Sequence, residues 1–418
     1  MIFLFKKTLI TLIALLSILH ISCFADDIIE DTKIDTNIID ETIETAASTS
    51  YSPSINSRAA IVIDRNSKKI LYGKNENTRR AMASTTKIMT ALVVIENTDL
   101  NNIVAISKKA AGTGGSRLKL KTGDKISVKD LLYGLMLKSG NDCAVALAEY
   151  TGGSIENFAN MMNEKAIRLN LLNTHFITPH GLDKEEHYTT AYELAIITDY
   201  ALNNPIFSKI VNTKVANITI NDKNRTIANT NELLGNLEGV YGVKTGFTNG
   251  AGRCLVTSVK RDNMDIICIV LGADTKNDRT KDSVKLIEYS FKNYETVSLN
   301  NKVTEYFENW NNLNNTRINI EKGTYNYLDL KLNLNDEEIC YPIYKDTQNE
   351  IRINILSNLV LKAPIVKNSE IGILQIIYQD KIIKEIPIIN ENTISKKGII
   401  NYLSDFFKKY NTYLQKVI

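Results

Sequence analysis

The chain has few of the residues from which cross-linked or repetitive folds are built. Five cysteines and six prolines among 418 residues exclude a disulfide scaffold, and twenty glycines exclude a collagen-like or low-complexity chain. Histidine is scarcer still: His20, His175, His180 and His187 are all there are. The spacing of His180 and His187 matches no metal motif, so no metal is expected. Charge of one sign is also missing. Lys+Arg 50 against Asp+Glu 47 leaves a net +3 with no basic block, which argues against nucleic acid as a partner. What the chain does have is 44% hydrophobic and 23% charged residues over a length that exceeds one ordinary core, so two domains plus appendages are expected.

Residues 1–25 read as a secretory signal. Lys6 and Lys7 precede the apolar run Thr8 to Ile21, and Cys23-Phe24-Ala25 forms a small-x-small cleavage site. An uncleaved anchor is the weaker reading because the run is short for a membrane span. A lipidated Cys23 would want Leu where His20 stands. Everything after Ala25 is then expected to fold outside the cytoplasm. Residues 26–52 carry Asp26, Asp27, Glu30, Asp31, Asp35, Asp40, Glu41 and Glu44 against Lys33 alone, the composition of a solvated, flexible tether. Cleavage leaves Cys143, Cys254, Cys268 and Cys340, read as buried free thiols rather than bridges.

Residues 53–297 form the first domain. Ala59 to Asp64 and Lys69 to Lys74 are short strand runs joined by Arg65-Asn66-Ser67. Ile88 to Ile95, Asp130 to Leu137, Asn157 to Leu172 and Ala191 to Leu202 have helical spacing, with Ser127 and Asp130 placed as a capping box. Val240 to Phe247, Arg253 to Val259 and Asp265 to Leu271 read as strands, the first two joined at Asn249-Gly250. The fold class is therefore α/β, an antiparallel sheet built from both ends of the domain and flanked by helices, with a helical middle. Residues 298–392 look like a small all-β domain: Leu328, Leu330, Leu332 and Leu334 alternate with polar residues, as do Ile351, Ile353 and Ile355. Residues 395–418 place Ile399, Leu403, Phe406, Phe407, Tyr410, Tyr413, Leu414 and Val417 on one helical face among lysines, which reads as an in-plane membrane anchor.

Ser84-Thr85-Thr86-Lys87 stands directly before the apolar run at Ile88. Opening a helix, it would set a serine hydroxyl and a lysine amine one turn apart on one face, with the serine N–H unpaired and able to meet an oxyanion. One S-x-x-K proves little, since Ser116 to Lys119 repeats it and Lys121-Thr122-Gly123 repeats Lys244-Thr245-Gly246. Context separates the copies: Ser116 follows Gly114-Gly115 and precedes no helix, whereas Ser139-Gly140-Asn141 lies in a break between helices and Lys244 on a strand.

The order S-x-x-K, S-x-N, K-T-G resembles the serine-type D-alanyl-D-alanine carboxypeptidases, the low-molecular-mass penicillin-binding proteins. Pro179-His180-Gly181-Leu182 and His187-Tyr188-Thr189-Thr190-Ala191 look like further blocks of that family, and the resemblance covers Ser57 to Asn293. It implies a β-lactamase/transpeptidase-like fold in which Ser84 is the acylated nucleophile, Lys87 its base and Ser139 a proton relay. It further implies that Asn141 binds the substrate amide, and that Lys244, Thr245 and Gly246 line the site of the terminal carboxylate. Arg279, about thirty-five residues after Lys244, would help hold that carboxylate, and the backbone N–H groups of Ser84 and Phe247 would form the oxyanion hole. The implied partners are a peptidoglycan stem peptide ending in D-Ala-D-Ala, β-lactam antibiotics and a membrane surface, at the outer face of the cytoplasmic membrane. A β-lactamase, a cross-link endopeptidase and a non-catalytic β-lactam sensor are the rival readings. Cys143 lacks a positioned base and reads as a buried side chain, and Arg253 with Cys254 stands where the family often has an aromatic and a polar residue.

Overall fold

The computed structural model describes residues 37–48, 52–334 and 338–417, which divide after Tyr294 into two compact units. The signal sequence lies outside the described residues.

The first unit opens with helix α1 (Asn37–Ser48), followed by strands β1 (Ala59–Asp64) and β2 (Ile70–Lys74). A 3-10 turn (Ala83–Thr86) leads into α2 (Lys87–Asn97), then come β3 (Ile103–Ala105), α3 (Lys108–Ala111) and β4 (Lys125–Ser127). The helices α4 (Val128–Leu137), α5 (Asn141–Gly152), α6 (Ile155–Arg168), α7 (Ala191–Leu202) and α8 (Pro205–Val211) follow. The hairpin β5 (Val215–Ile220) and β6 (Lys223–Ala228) precedes β7 (Val240–Thr248), β8 (Gly252–Arg261), β9 (Met264–Ala273) and α9 (Lys276–Asn293).

One sheet runs β2-β1-β9-β8-β7, antiparallel throughout, and the smaller one runs β3-β4-β5-β6. All six residues of β1 are buried because both faces of the larger sheet are covered. Ala59, Ile61 and Ile63 face a core shared with α2, α4, α5 and α7, while Ala60 and Val62 face one shared with α9 and α1. Strand β7 is left at the sheet edge, beside the turn that carries Ser84. Side-chain caps start the helices: Thr190 Oγ1 accepts from Glu193 N at 3.0 Å, and Ser127 Oγ from Asp130 N at 3.0 Å. Each is worth about 1 kcal/mol. The Asp130 carboxylate does not complete a capping box and instead accepts from Thr219 N.

The acidic stretch assigned to a flexible tether is corrected over part of its length. Asn37–Ser48 is helical, and Ile39 (1% exposed) and Thr42 (5%) are buried, with Ile39 in the core on α9. Counting charge hid the four-residue spacing of Ile39 and Ile43, which leaves Asp40, Glu41 and Glu44 facing water.

The second unit contains β10 (Tyr294–Ser298), α10 (Asn300–Asn314), β11 (Asn319–Glu321), β12 (Leu330–Leu332), β13 (Cys340–Tyr344), β14 (Arg352–Ser357), β15 (Val360–Lys362), β16 (Glu370–Tyr378) and β17 (Lys381–Asn390). Its main sheet runs β12-β17-β16-β14, and the terminal helix α11 (Ile399–Val417) follows. The β domain carries one long helix that the reading above passed over. The Asn-rich α10 has weak intrinsic propensity, but it buries Val303 and Phe307, one turn apart, in the core of this unit, and it packs beside β12.

Candidate active site

Ser84 sits in the 3-10 turn rather than in the α-helix itself, half-buried between Ala83, Thr85 and Thr86, which are fully buried. Lys87 begins α2 one turn later and is 0% exposed, so the backbone geometry predicted from the spacing is present. Its Nζ has three oxygen partners, each at 2.8 Å: Ser84 Oγ, Asn141 Oδ1 and the carbonyl of His180. An ammonium satisfies all three. After losing one proton the amine can still donate to Asn141 and His180, both fixed acceptors, and turns its lone pair to Ser84, the one partner that can switch from acceptor to donor. Of these three partners, Ser84 is the one whose proton the neutral amine can take.

Asn141 opens α5 and is held from behind. Its N–H donates to Ser116 O at 2.7 Å and its Nδ2 to Gly114 O at 2.8 Å, which leaves one amide hydrogen unspent. Ser139, two residues earlier, is 7% exposed and takes φ +56, while Ala83, just before Ser84, takes φ +48. Left-handed backbone at two non-glycine residues is strain concentrated at this site.

Strand β7 supplies the other wall. A Cβ at Gly246 would lie 3.1 Å from Ser84 N and 3.2 Å from Thr85 N, so the missing side chain lets the strand touch the serine turn. Lys244 is 1% exposed and donates to Thr245 O at 2.9 Å; Thr245 Oγ1 meets Thr230 Oγ1 at 2.9 Å. Phe247 follows, with the Arg253 guanidinium 3.8 Å above its ring. Arg279 stands apart from this group: it is 2% exposed on α9 and ion-paired with Glu232, two residues after Thr230. The loop after β6 thus touches both Thr245 and Arg279.

Four contributors escaped the sequence reading. The carbonyls of Gly114 and Ser116 come from the stretch set aside as a second S-x-x-K. Glu232 carries no motif. Gly181 belongs to a block quoted only for its resemblance, yet a Cβ there would lie 1.9 Å from Ala83 O. Cys143 is 0% exposed, and burial raises its pKa, so it is an inert thiol.

His180 and His187 are structural and neutral. His187 Nδ1 accepts from Ile177 N at 2.9 Å, which puts the proton on Nε2, 2.8 Å from Thr86 Oγ1. Burial, then the charge of His175, pushes its pKa down to about 4; burial, then the charge of Lys87, pushes that of His180 to about 3. An unfolded histidine titrates near 6.5, so between these values the unfolded chain binds more protons. The stabilisation is complete above about pH 6.5 and is lost as pH falls towards 4 and then 3. Unfolding free energy should therefore drop between pH 7 and 5, and His187→Asn, whose Oδ1 can replace the Nδ1 acceptor, should flatten that slope. Denaturant titrations at three pH values check this, and equal slopes in both proteins would refute it.

Comparison with known proteins identifies the family. The D-alanyl-D-alanine carboxypeptidase family matches residues 45–275, and the C-terminal domain of penicillin-binding protein 5 matches residues 313–396. The D-alanyl-D-alanine carboxypeptidase DacF of Bacillus subtilis (strain 168) is 35% identical over 353 residues, 83% of this chain and 88% of its own length. DacC of Escherichia coli (strain K12) is 39% identical over 266 residues, covering 60% and 66%. Penicillin-binding protein 5 from Haemophilus influenzae has a solved structure that superposes with a TM-score of 0.69 at 29% identity, covering 83% of this chain and 99% of that one. A serine and a lysine joined at the edge of an antiparallel sheet, on a chain matched over both its units, place this protein in the family of serine-type D-alanyl-D-alanine carboxypeptidases.

Proposed function

We propose that Ser84 is the nucleophile with which this carboxypeptidase attacks the terminal D-Ala-D-Ala bond of peptidoglycan stem peptides. Lys87 takes the Ser84 proton as Oγ bonds to the penultimate carbonyl carbon. Lys87 returns that proton through Ser139 to the leaving amine as the peptide bond breaks and D-Ala departs, and water then hydrolyses the acyl-Ser84 ester, restoring the Ser84 hydroxyl and releasing the shortened peptide as its carboxylate. The N–H groups of Ser84 and Phe247 hold the oxyanion; each such donor is typically worth about 3 kcal/mol. Asn141 binds the substrate amide with its unspent hydrogen. Lys244 and Thr245 hold the terminal carboxylate, and Arg279 supports them through Glu232, on the loop whose Thr230 meets Thr245. The observation that carries this reading is the trio of 2.8 Å contacts around Lys87 Nζ, of which only Ser84 can reverse direction.

We also propose export and peripheral attachment. The first twenty-five residues have the composition of a signal, and no described helix is long and apolar enough to cross a membrane. Helix α11 exposes Phe406 (63%), Phe407 (60%) and Tyr413 (67%) beside Lys408 and Lys409, which suits the interface of an anionic membrane.

The test is D-Ala release from a peptide ending in D-Ala-D-Ala, with penicillin bound covalently and mapped to Ser84. Label on another residue, or no release, overturns the assignment. The same protein should sediment with anionic vesicles and stop doing so without residues 395–418.

A further inference from the structure

The segment Arg117-Leu118-Lys119-Leu120-Lys121 alternates like a strand, with Leu118 and Leu120 buried and all three cations exposed. It is held firmly. Leu118 N and Leu120 N donate to the two Asp142 oxygens at 2.9 and 3.0 Å, and Arg225 donates to Leu118 O. Its position is set by the catalytic group, because the carbonyls of Gly114 and Ser116 just before it are those that hold Asn141. The nearby carboxylates are spent on neutral donors: Asp142 on the backbone, and Asp124 on Lys121 N and Asn221 Nδ2 at 2.7 Å each. Among the described residues, Arg117, Lys119 and Lys121 make no ion pair, so three uncompensated cations stand one step beyond Asn141.

We infer that residues 117–121 form a carboxylate-binding subsite for the acyl half of the donor peptide, selecting stems with a free acidic group ahead of the cleaved bond. This rests on the reading in which Asn141 binds the substrate amide. With the terminal carboxylate at Lys244 and Thr245, and the scissile carbonyl at Ser84, the residues ahead of that bond lead past Asn141 towards this rim. Solvated cations discriminate modestly, so the preference is about tenfold at low salt and is screened as salt rises.

The test uses the full chain and two peptides ending in D-Ala-D-Ala that differ only in a Glu or a Gln ahead of that pair. The Glu:Gln ratio of kcat/KM should be about ten at low ionic strength, fall to about two in strong salt, and approach one in the triple variant Arg117→Gln, Lys119→Gln, Lys121→Gln. A wild-type ratio near one, a ratio insensitive to salt, or an unchanged ratio in the triple variant overturns the inference. The salt dependence of the wild-type enzyme decides the matter if the variant does not fold. Loss of activity on both peptides in the wild type would instead sink the carboxypeptidase assignment of the site.

Discussion

Lys87→Met should slow both D-Ala release and penicillin acylation of Ser84 by about a thousandfold or more, with little change in thermal stability. General-base catalysis contributes roughly 10²–10⁴, and the Lys87 amine stands 2.8 Å from Ser84 Oγ, placed to take its proton. Methionine fills much the same volume. Its thioether leaves Asn141 Oδ1 and His180 O without the Lys87 donor, at a cost of about 1–3 kcal/mol each. Against that, a fully buried ammonium no longer has to be desolvated, and the two effects oppose each other. The rate of labelling by a fluorescent penicillin and the melting temperature separate the outcomes. Acylation within tenfold of wild type would show that Lys87 is not the base, while a large fall in melting temperature would show that its role is mainly structural.

The second large effect comes from a residue with no side chain. Gly181 has φ +87, and a Cβ there would fall 1.9 Å from Ala83 O, 2.5 Å from Ala83 C and 2.6 Å from Thr86 Oγ1. None of these can yield cheaply. The Ala83 carbonyl accepts from Thr86 Oγ1 at 2.8 Å, and Thr86 is in turn fixed by His187, so the turn bearing Ser84 must shift as a body. Gly181→Ala is expected to cost about 3 kcal/mol or more of stability, from strain and overlap together. In the molecules that remain folded, acylation should fall about a hundredfold, because misplacing a nucleophile by about 1 Å costs that much. A melting temperature within about 2 °C of wild type, or acylation within twofold, would contradict the clash.

Some of this site was legible in the sequence and some was not, for a definite physical reason. Ser84, Lys87 and Asn141 act through side chains whose spacing and setting leave a trace: a serine and a lysine one helical turn apart, and an asparagine at a helix start. The antiparallel sheet was legible because alternation and the Asn249-Gly250 turn are local signals. Gly114, Ser116 and His180 act through carbonyl oxygens that any residue could present, so their identity says nothing. Gly181 is needed for what it lacks. The pairing of Glu232 with Arg279 spans forty-seven positions and follows no local pattern. Helix α1 was hidden by its charge, and α10 by its asparagines.

The open edge of β7 has a bearing on solubility. An unpaired strand edge is a template on which a second molecule can assemble, and proteins normally blunt it. Here it is closed at both ends. Asn231 Nδ2 bonds to Gly242 O at 2.9 Å near the start, and Asp183 takes Thr248 Oγ1 at 2.6 Å and Gly250 N at 2.9 Å at the finish. Between these ends lies Val243–Phe247, roughly 16 Å of strand at about 3.3 Å per residue, where Lys244 Nζ donates to Thr245 O and the Ser84 turn crowds the strand at Gly246. That length gives a neighbouring copy too little ladder to hold, so the edge is trimmed against self-assembly.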